Sequence, residues 1–303
     1  MPWRKRLLTS IGDFPIRKQE PECALCAGVR KYSNKNRKAS RSLPPIAAKQ
    51  LRRTINWKVF SVSIAMERRE AVRSLEMIDW SMISTDLEAQ GWAILPKIMS
   101  IEECGVIAGL YEGVQDFRSH VIMARHGFGR GEYKYFAYPL PTLIEGLRTK
   151  LYRHLAPIAN QWHEKMGMDV RFPDNHAAFI DRCHAAGQAR PTPLLLRYGK
   201  DDYNCLHQDL YGEHVFPLQL AVLLNEPGED FEGGEFVLTE QRPRMQSRAM
   251  VVPLRQGDAV VFAVNSRPLQ GARGSYRVNL RHGVSKLRSG HRHTLGIIFH
   301  DAT

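Results

Sequence analysis

Residues 275–300 read SYRVNLRHGVSKLRSGHRHTLGIIFH. Two runs in this stretch, SYRVNLRHGV (275–284) and TLGIIFH (294–300), are short, rich in β-branched and aromatic residues, and separated by a polar, glycine-containing segment. That pattern predicts strands rather than helices, which need longer apolar periodicity. Moving outward, the same pattern recurs in LLLRY (194–198), PLQLAVLLN (217–225), GEFVLTE (234–240), MVVPL (250–254) and DAVVFAV (258–264). Gly233-Gly234 and Gly257-Asp258 supply turn signals between them. Seven short strands at this spacing predict a jelly roll, a cupin-like double-stranded β-helix, or a barrel.

Upstream of Pro193 the period is helical. Residues 84–90 read as helix, and Trp92–Leu95 as a short strand ended by Pro96. Ser100, with Glu103 three residues on, forms a capping box for a helix from Ile101 to about Phe117. Residues 142–167 read as a long helix with Leu143, Leu147, Leu151, Leu155 and Ile158 on one face. The fold class is therefore α+β: a helical support over 66–192 beside a jelly-roll core over 193–303.

Residues 1–65 differ from everything that follows. They hold 15 Lys and Arg against three acids, which accounts for the whole net charge of +12, and the remaining 238 residues are balanced. Stretches such as KYSNKNRKASRSLPP show no core-forming period and read as a disordered basic tail. Such a tail serves as a nucleic-acid-binding arm or as solvated sequence ahead of a domain that starts at Met66, where MERREAVRSLEMI opens as an amphipathic helix. No apolar run approaches bilayer length, and the basic start lacks an apolar segment behind it, so a soluble, cytoplasmic protein without membrane contact is expected. The cysteines, Cys23, Cys26, Cys104, Cys183 and Cys205, are odd in number, which fits a reducing compartment. Cys23 and Cys26 form a CxxC without two further ligands nearby, and ordinary thiols are the simpler reading. Oligomeric state is not legible.

The chemistry is carried by His207-Gln208-Asp209. Residues i and i+2 of an extended strand share a face, so an imidazole and a carboxylate can reach one metal without strain. His282, on a later strand, supplies a third ligand. Two histidines and one carboxylate leave coordination positions open, a pattern that suits non-haem iron(II). An HxD pair alone is common, but ten residues after His282 comes Arg292, the side chain suited to gripping a carboxylate through two parallel hydrogen bonds. Thr294 faces the same way and could add a hydrogen bond.

HQD at 207–209, GGEF at 233–236 and RHGVSKLRSGHRHTLGIIFHDA at 281–302 together resemble the 2-oxoglutarate/Fe(II) oxygenase superfamily. QGWAILPKIMSIEEC (90–104) is similar to its helix–strand–helix opening, and the likeness covers roughly 85–303. In detail the chain resembles a bacterial branch predicted to demethylate damaged nucleic-acid bases oxidatively, which implies DNA repair. The resemblance implies iron(II) on His207, Asp209 and His282, 2-oxoglutarate as small-molecule co-substrate paired with Arg292, dioxygen, and release of succinate and CO2. A protein side-chain hydroxylase of prolyl type or a small-molecule hydroxylase would use the same centre. A metal-free jelly-roll binding module with a coincidental HxD is the alternative from another class.

Other residues have plainer readings. His291 and His293 should face away from Arg292, His300 should pack, and His214 reads as a surface histidine with substrate contact as the alternative. Tyr198 and Asn204 are candidates for the 2-oxoglutarate pocket, although an ordinary buried tyrosine reads equally well. Cys205 shares the strand face of His207. Gly233-Gly234 reads as a tight turn. Residues 241–292 hold 11 Lys and Arg and one acid, Asp258. Internal pairing with the acidic helical half is one reading, and a cationic rim for an anionic substrate such as nucleic acid is the other.

Overall fold

The computed structural model describes residues 75–303 except Val114. The basic tail, its Cys23–Cys26 pair and all but the end of the helix expected from Met66 lie outside the described residues.

Asp79 caps helix α1 (Trp80–Gln90) by accepting from the backbone N–H groups of Ser81 and Met82. Gly91 ends it in the left-handed region at φ 82°, where a side chain would also collide with Arg267. The helix begins four residues earlier than its sequence suggests, because a cap outweighs the weak apolar periodicity of WSMIS. Strand β1 (Trp92–Leu95) follows as expected. In α2 (Ile101–Gly109) the capping box forms reciprocally, with Ser100 Oγ accepting from Glu103 N and Glu103 Oε2 from Ser100 N. The helix stops eight residues short of the expected end and tightens into a 3-10 turn, Leu110–Glu112. Glycines 105, 109 and 113 weaken its continuation.

The region read as a helical support with one short strand also contains a hairpin-like pair, β2 (Phe117–Ile122) and β4 (Glu132–Phe136), with the short β3 (Gly129–Arg130) between them. The alternation in EYKYF was the available signal. Helix α3 (Thr142–Lys165) matches its reading, burying Leu147, Leu151, Leu155, Ile158 and Trp162 along one stripe. Helix α4 (His176–Ala185), capped by Asn175, was not anticipated.

The remaining strands are β5 (Leu194–Tyr198), β6 (Tyr203–His207), β7 (Leu218–Leu223), β8 (Phe231–Gly233), β9 (Phe236–Gln241), β10 (Arg248–Val252), β11 (Ala259–Ala263), β12 (Ser266–Gly271), β13 (Gly274–Val284), β14 (Leu287–Gly290) and β15 (Arg292–Ile298). All seven expected strands are present. They build two antiparallel sheets, ordered β1-β11-β7-β15-β5-β4-β2 and β10-β9-β13-β6-β3, with β12 on β13 and a small β14-β8 pair. This is the double-stranded β-helix of an α+β protein.

Period two explains how the first sheet is covered on both faces. Leu218, Leu220 and Val222 of β7 join the core packed by α3, while Ala221 and Leu223 join the apolar cluster between the sheets with Phe236, Phe262 and Val284. Strand β7 is buried throughout for that reason. Among the described residues no helix is long and apolar enough to cross a membrane.

Candidate metal centre and co-substrate pocket

Strand register brings the candidate ligands together. His282 on β13 stands directly opposite His207 at the end of β6, and the ring centroids are 4.2 Å apart. Asp209 lies just past the end of β6, so chain continuity rather than strand pairing places its carboxylate. Ligating atoms of His207, Asp209 and His282 all lie within 4.8 Å of one another. Nε2 of His207 is 3.6 Å from Oδ1 of Asp209, and Nε2 of His282 is 3.4 Å from Oδ2. This group could hold one divalent metal.

The surroundings fix the orientation of these groups. The ring nitrogen Nδ1 of His207 lies 2.7 Å from the Cys205 carbonyl, which directs Nε2 toward the carboxylate. His282 packs against Phe262 and Phe236. Asp209 is 6% exposed; Tyr211 donates to its Oδ1 at 2.7 Å and Gln219 to its Oδ2 at 2.8 Å. Burial opposes the charge on Asp209, but the His282 and His207 imidazoles and the Tyr211 hydroxyl outweigh it, holding the carboxyl below its ordinary range. Burial, with His282 alongside, lowers the basicity of His207, so it presents a neutral, ligating imidazole.

The same cavity, about 370 Å³, is lined by Arg292, Thr294, Tyr198, Asn204 and the three candidate ligands. Arg292 is 1% exposed and opposite Tyr198 in the β15–β5 register. Its guanidinium donates through Nη1 to Thr294 Oγ1 at 2.6 Å and lies 5.6 Å from the Tyr198 ring centroid. Its Nε has no hydrogen-bond partner among the described residues. Burial pushes its pKa down to about 10, so it stays charged at neutral pH. A buried cation with an unmet donor calls for an anionic partner. Gly234 turns at φ 63°, and a Cβ there would strike Leu287 and crowd Arg292, so the glycine pair gives both a turn and room for this side chain.

Every expected site residue thus lines one cavity. Cys205 lines it as well. His214 lines a different cavity, His300 is buried with its Nδ1 accepting from Phe216 N, and His293 is held at Asn225. Sequence reasoning missed Tyr211, Gln219, Tyr133 and Tyr135. Gln219 was detectable as a polar residue inside the apolar run PLQLAVLLN; Tyr211 had no signal beyond its nearness to Asp209. The arginines of 241–292 are paired only in part: Arg267, Arg242 and Arg248 meet Glu240, and Arg288 meets Glu232 and Glu235, all acids of the sheet half, while Arg267 also donates to the Glu88 and Ala89 carbonyls of α1.

A family model described as an oxygenase catalysing oxidative methylation of damaged DNA matches residues 131–302, and the chain belongs to that family. It is an oxygenase, hence an oxidoreductase, which removes the non-catalytic binding module from consideration. Two uncharacterized Mycobacterium tuberculosis proteins, from strains CDC 1551/Oshkosh and ATCC 25618/H37Rv, are each 50% identical over 167 residues, 55% of this chain and 72% of theirs. Among solved structures, a Pseudomonas putida prolyl-4-hydroxylase aligns with TM-score 0.44 and 12% identity over 72% of this chain and 96% of its own. A Burkholderia pseudomallei 2OG-Fe(II) family oxidoreductase aligns with TM-score 0.44 and 16% identity, over 75% and 94%. Iron(II), with 2-oxoglutarate and dioxygen as co-substrates, suits the donors of this cavity: two imidazoles with one carboxylate for the metal, and a buried guanidinium whose Nε has no hydrogen-bond partner among the described residues.

Proposed function

We propose that the protein oxidises the alkyl group of a damaged nucleic-acid base, with iron(II) on His207, Asp209 and His282 and 2-oxoglutarate on Arg292. One observation carries the co-substrate half: the cavity that holds the His-Asp-His group also holds a buried guanidinium whose Nε lacks a partner. The family description supports the nucleic-acid half.

When bound, the metal and co-substrate supply the oxidising power, with 2-oxoglutarate leaving as succinate and CO2. The chain's own groups do the rest. His207, Asp209 and His282 present three donors from one side. Tyr211 and Gln219 hold the Asp209 carboxylate in one orientation. Arg292, steadied by Thr294 and Tyr198, grips the far carboxylate of 2-oxoglutarate. Tyr133, Phe236 and Phe262 line the cavity and exclude water. Hydroxylation of an N-methyl carbon leaves an N-hydroxymethyl group, which collapses to N–H and formaldehyde.

Mass spectrometry of methylated DNA, methylated RNA and peptide pools, each incubated with enzyme, iron(II) and 2-oxoglutarate, tests this reading. Loss of methyl groups from a nucleic acid, matched by succinate and formaldehyde, is expected. Succinate formation stimulated only by peptides would overturn the substrate assignment. We also propose that 66–303 is the catalytic unit. A chain beginning at Met66 should retain 2-oxoglutarate turnover, and its insolubility beside a stable full chain would move the boundary upstream.

A further inference from the structure

The cavity of the metal group does not stand alone. Leu206 and Gln208 line both it and a second cavity of about 440 Å³, which also presents Arg281, Asn279 and Arg277. Arg277, with Asn265 and Ser266, in turn lines a third cavity of about 410 Å³ that adds Arg171 and Arg182. The three cavities adjoin one another through these shared residues and outline a track that starts beside the catalytic pocket.

Strand β13 explains the arginines. Val278, Leu280 and His282 face inward and are buried, so Arg277, Asn279 and Arg281 all project from the outer face. Arg277 and Arg281, four strand residues apart, are separated by ~13 Å. Neither makes a hydrogen bond or ion pair among the described residues, unlike Arg242, Arg267 and Arg288 of the same segment. Arg182 and Arg171 donate only to backbone carbonyls. Glu213 is the one acid along the second and third cavities, against four arginines. At the mouth itself Phe128 and Leu206 are 48% and 44% exposed. Unpaired guanidinium groups along a groove, beside an exposed aromatic ring, are the elements that bind a single nucleic-acid strand: cations for the phosphates and a flat apolar surface for a base.

We propose that a single strand, or the strand of a duplex from which the target base is flipped, lies along this track. Arg281 and Arg277 contact phosphates, and Phe128 meets a base at the pocket mouth. This rests on the nucleic-acid reading above and adds to it the surface and the strand requirement.

The test uses the full chain with iron(II) and 2-oxoglutarate. Oxidation of a methylated single-stranded oligonucleotide is compared with that of the matching methylated mononucleoside, and oligonucleotide binding is followed by anisotropy against salt. For R277E/R281E, the ratio of kcat/KM on the oligonucleotide to that on the mononucleoside should fall by about tenfold or more. The slope of log affinity against log salt should become shallower by about 1.4, at about 0.7 per phosphate contact on a single strand. R277Q/R281Q should show the same slope change with a smaller loss. Arg273→Glu, an exposed arginine in the β12–β13 turn and outside the track, should leave both measures at wild-type values. If wild type oxidises oligonucleotides but R277E/R281E behaves like Arg273→Glu, the track is wrong and the nucleic-acid reading stands. If wild type neither binds nor oxidises any strand, both fall together.

Discussion

Among the described residues three arginines are buried, Arg148, Arg267 and Arg292, and the surroundings of the first and the last are opposite. Arg148, on α3, is 2% exposed and saturated. It donates to the carbonyls of Ile298 and His300, to Asp301 Oδ1 at 2.8 Å, to the Tyr138 hydroxyl and to Thr192. Arg292 is as deeply buried but, among the described residues, its side chain has one hydrogen-bond partner, Thr294, and an Nε with none. Burying a charge is costly unless it is fully paired, so Arg148 is accounted for by the fold and Arg292 is not. The difference separates a structural ion pair from the group proposed above to bind a carboxylate.

The largest effect concerns the metal group beside Arg292. His207→Ala, Asp209→Ala and His282→Ala should each abolish 2-oxoglutarate turnover while leaving the Arg148 network, and hence the fold, in place. Folded variants of all three, shown by circular dichroism, with succinate formation at background are the expected outcome. Full turnover in any one would remove that residue from the ligand set.

Next comes the direct contrast. Arg292→Ala should weaken apparent 2-oxoglutarate affinity by roughly 30- to 1,000-fold, from a cost on the order of 2–5 kcal/mol for leaving a buried carboxylate unpaired. Lysine should recover only part of this, lacking the planar fork. Thermal stability should hardly change, because little in the fold depends on that guanidinium. Arg148→Ala should do the reverse, costing about 3–5 kcal/mol in unfolding free energy by stranding Asp301. Denaturant titration and the 2-oxoglutarate dependence of turnover, measured on both variants, decide it. Equal stability losses would erase the distinction.

These two arginines also mark what a single sequence can reveal. Arg292 was legible because it shares a strand face with Thr294 and follows His282 at a short spacing. Arg148 was not, since its partners come from Tyr138, Thr192 and the chain terminus near 298–301, brought together only by tertiary packing. The same holds for the fold. The seven core strands announce themselves as short apolar runs between turn signals, whereas β2 and β4 are largely half-exposed and α4 is short, so none of these carries a strong signal. Gln219 and Tyr211 escaped because a residue that orients a ligand needs only one well-placed atom, not a motif.

Acid should destabilise the Arg148 side of the molecule. Burial, then the positive charge of Arg148, pushes His176 and His300 down to about 4 from an ordinary value near 6.5. Both are therefore neutral in the folded protein, while the unfolded chain takes up protons as pH falls below about 6.5. Stability is full above that pH, falls between about 6.5 and 4, and levels off below, by up to about 3 kcal/mol per histidine. Melting temperatures across this window should show the decline, and a flat profile would mean that these rings are hydrated.

The smallest effect tests whether the metal side is also held by hydrogen bonds. Tyr211 donates to Asp209 and receives a hydrogen bond from Tyr135 at 3.1 Å, so the carboxylate is anchored through a chain of two hydroxyls. Gln219 anchors its other oxygen independently. Tyr211→Phe removes one anchor, keeps the ring and leaves the second anchor in place. The carboxylate should then keep its position on average but lose some of its fixed orientation, at a cost of roughly tenfold in metal affinity. Gln219→Leu should cost a similar amount, and the double variant more than either, because the carboxylate would have no neutral donor left. Metal titration of the three variants, followed by quenching or calorimetry, gives the comparison. Loss in Tyr211→Phe as large as in Asp209→Ala would mean that the hydroxyl touches the metal site itself, and no loss in the double variant would mean that the two histidines alone hold Asp209.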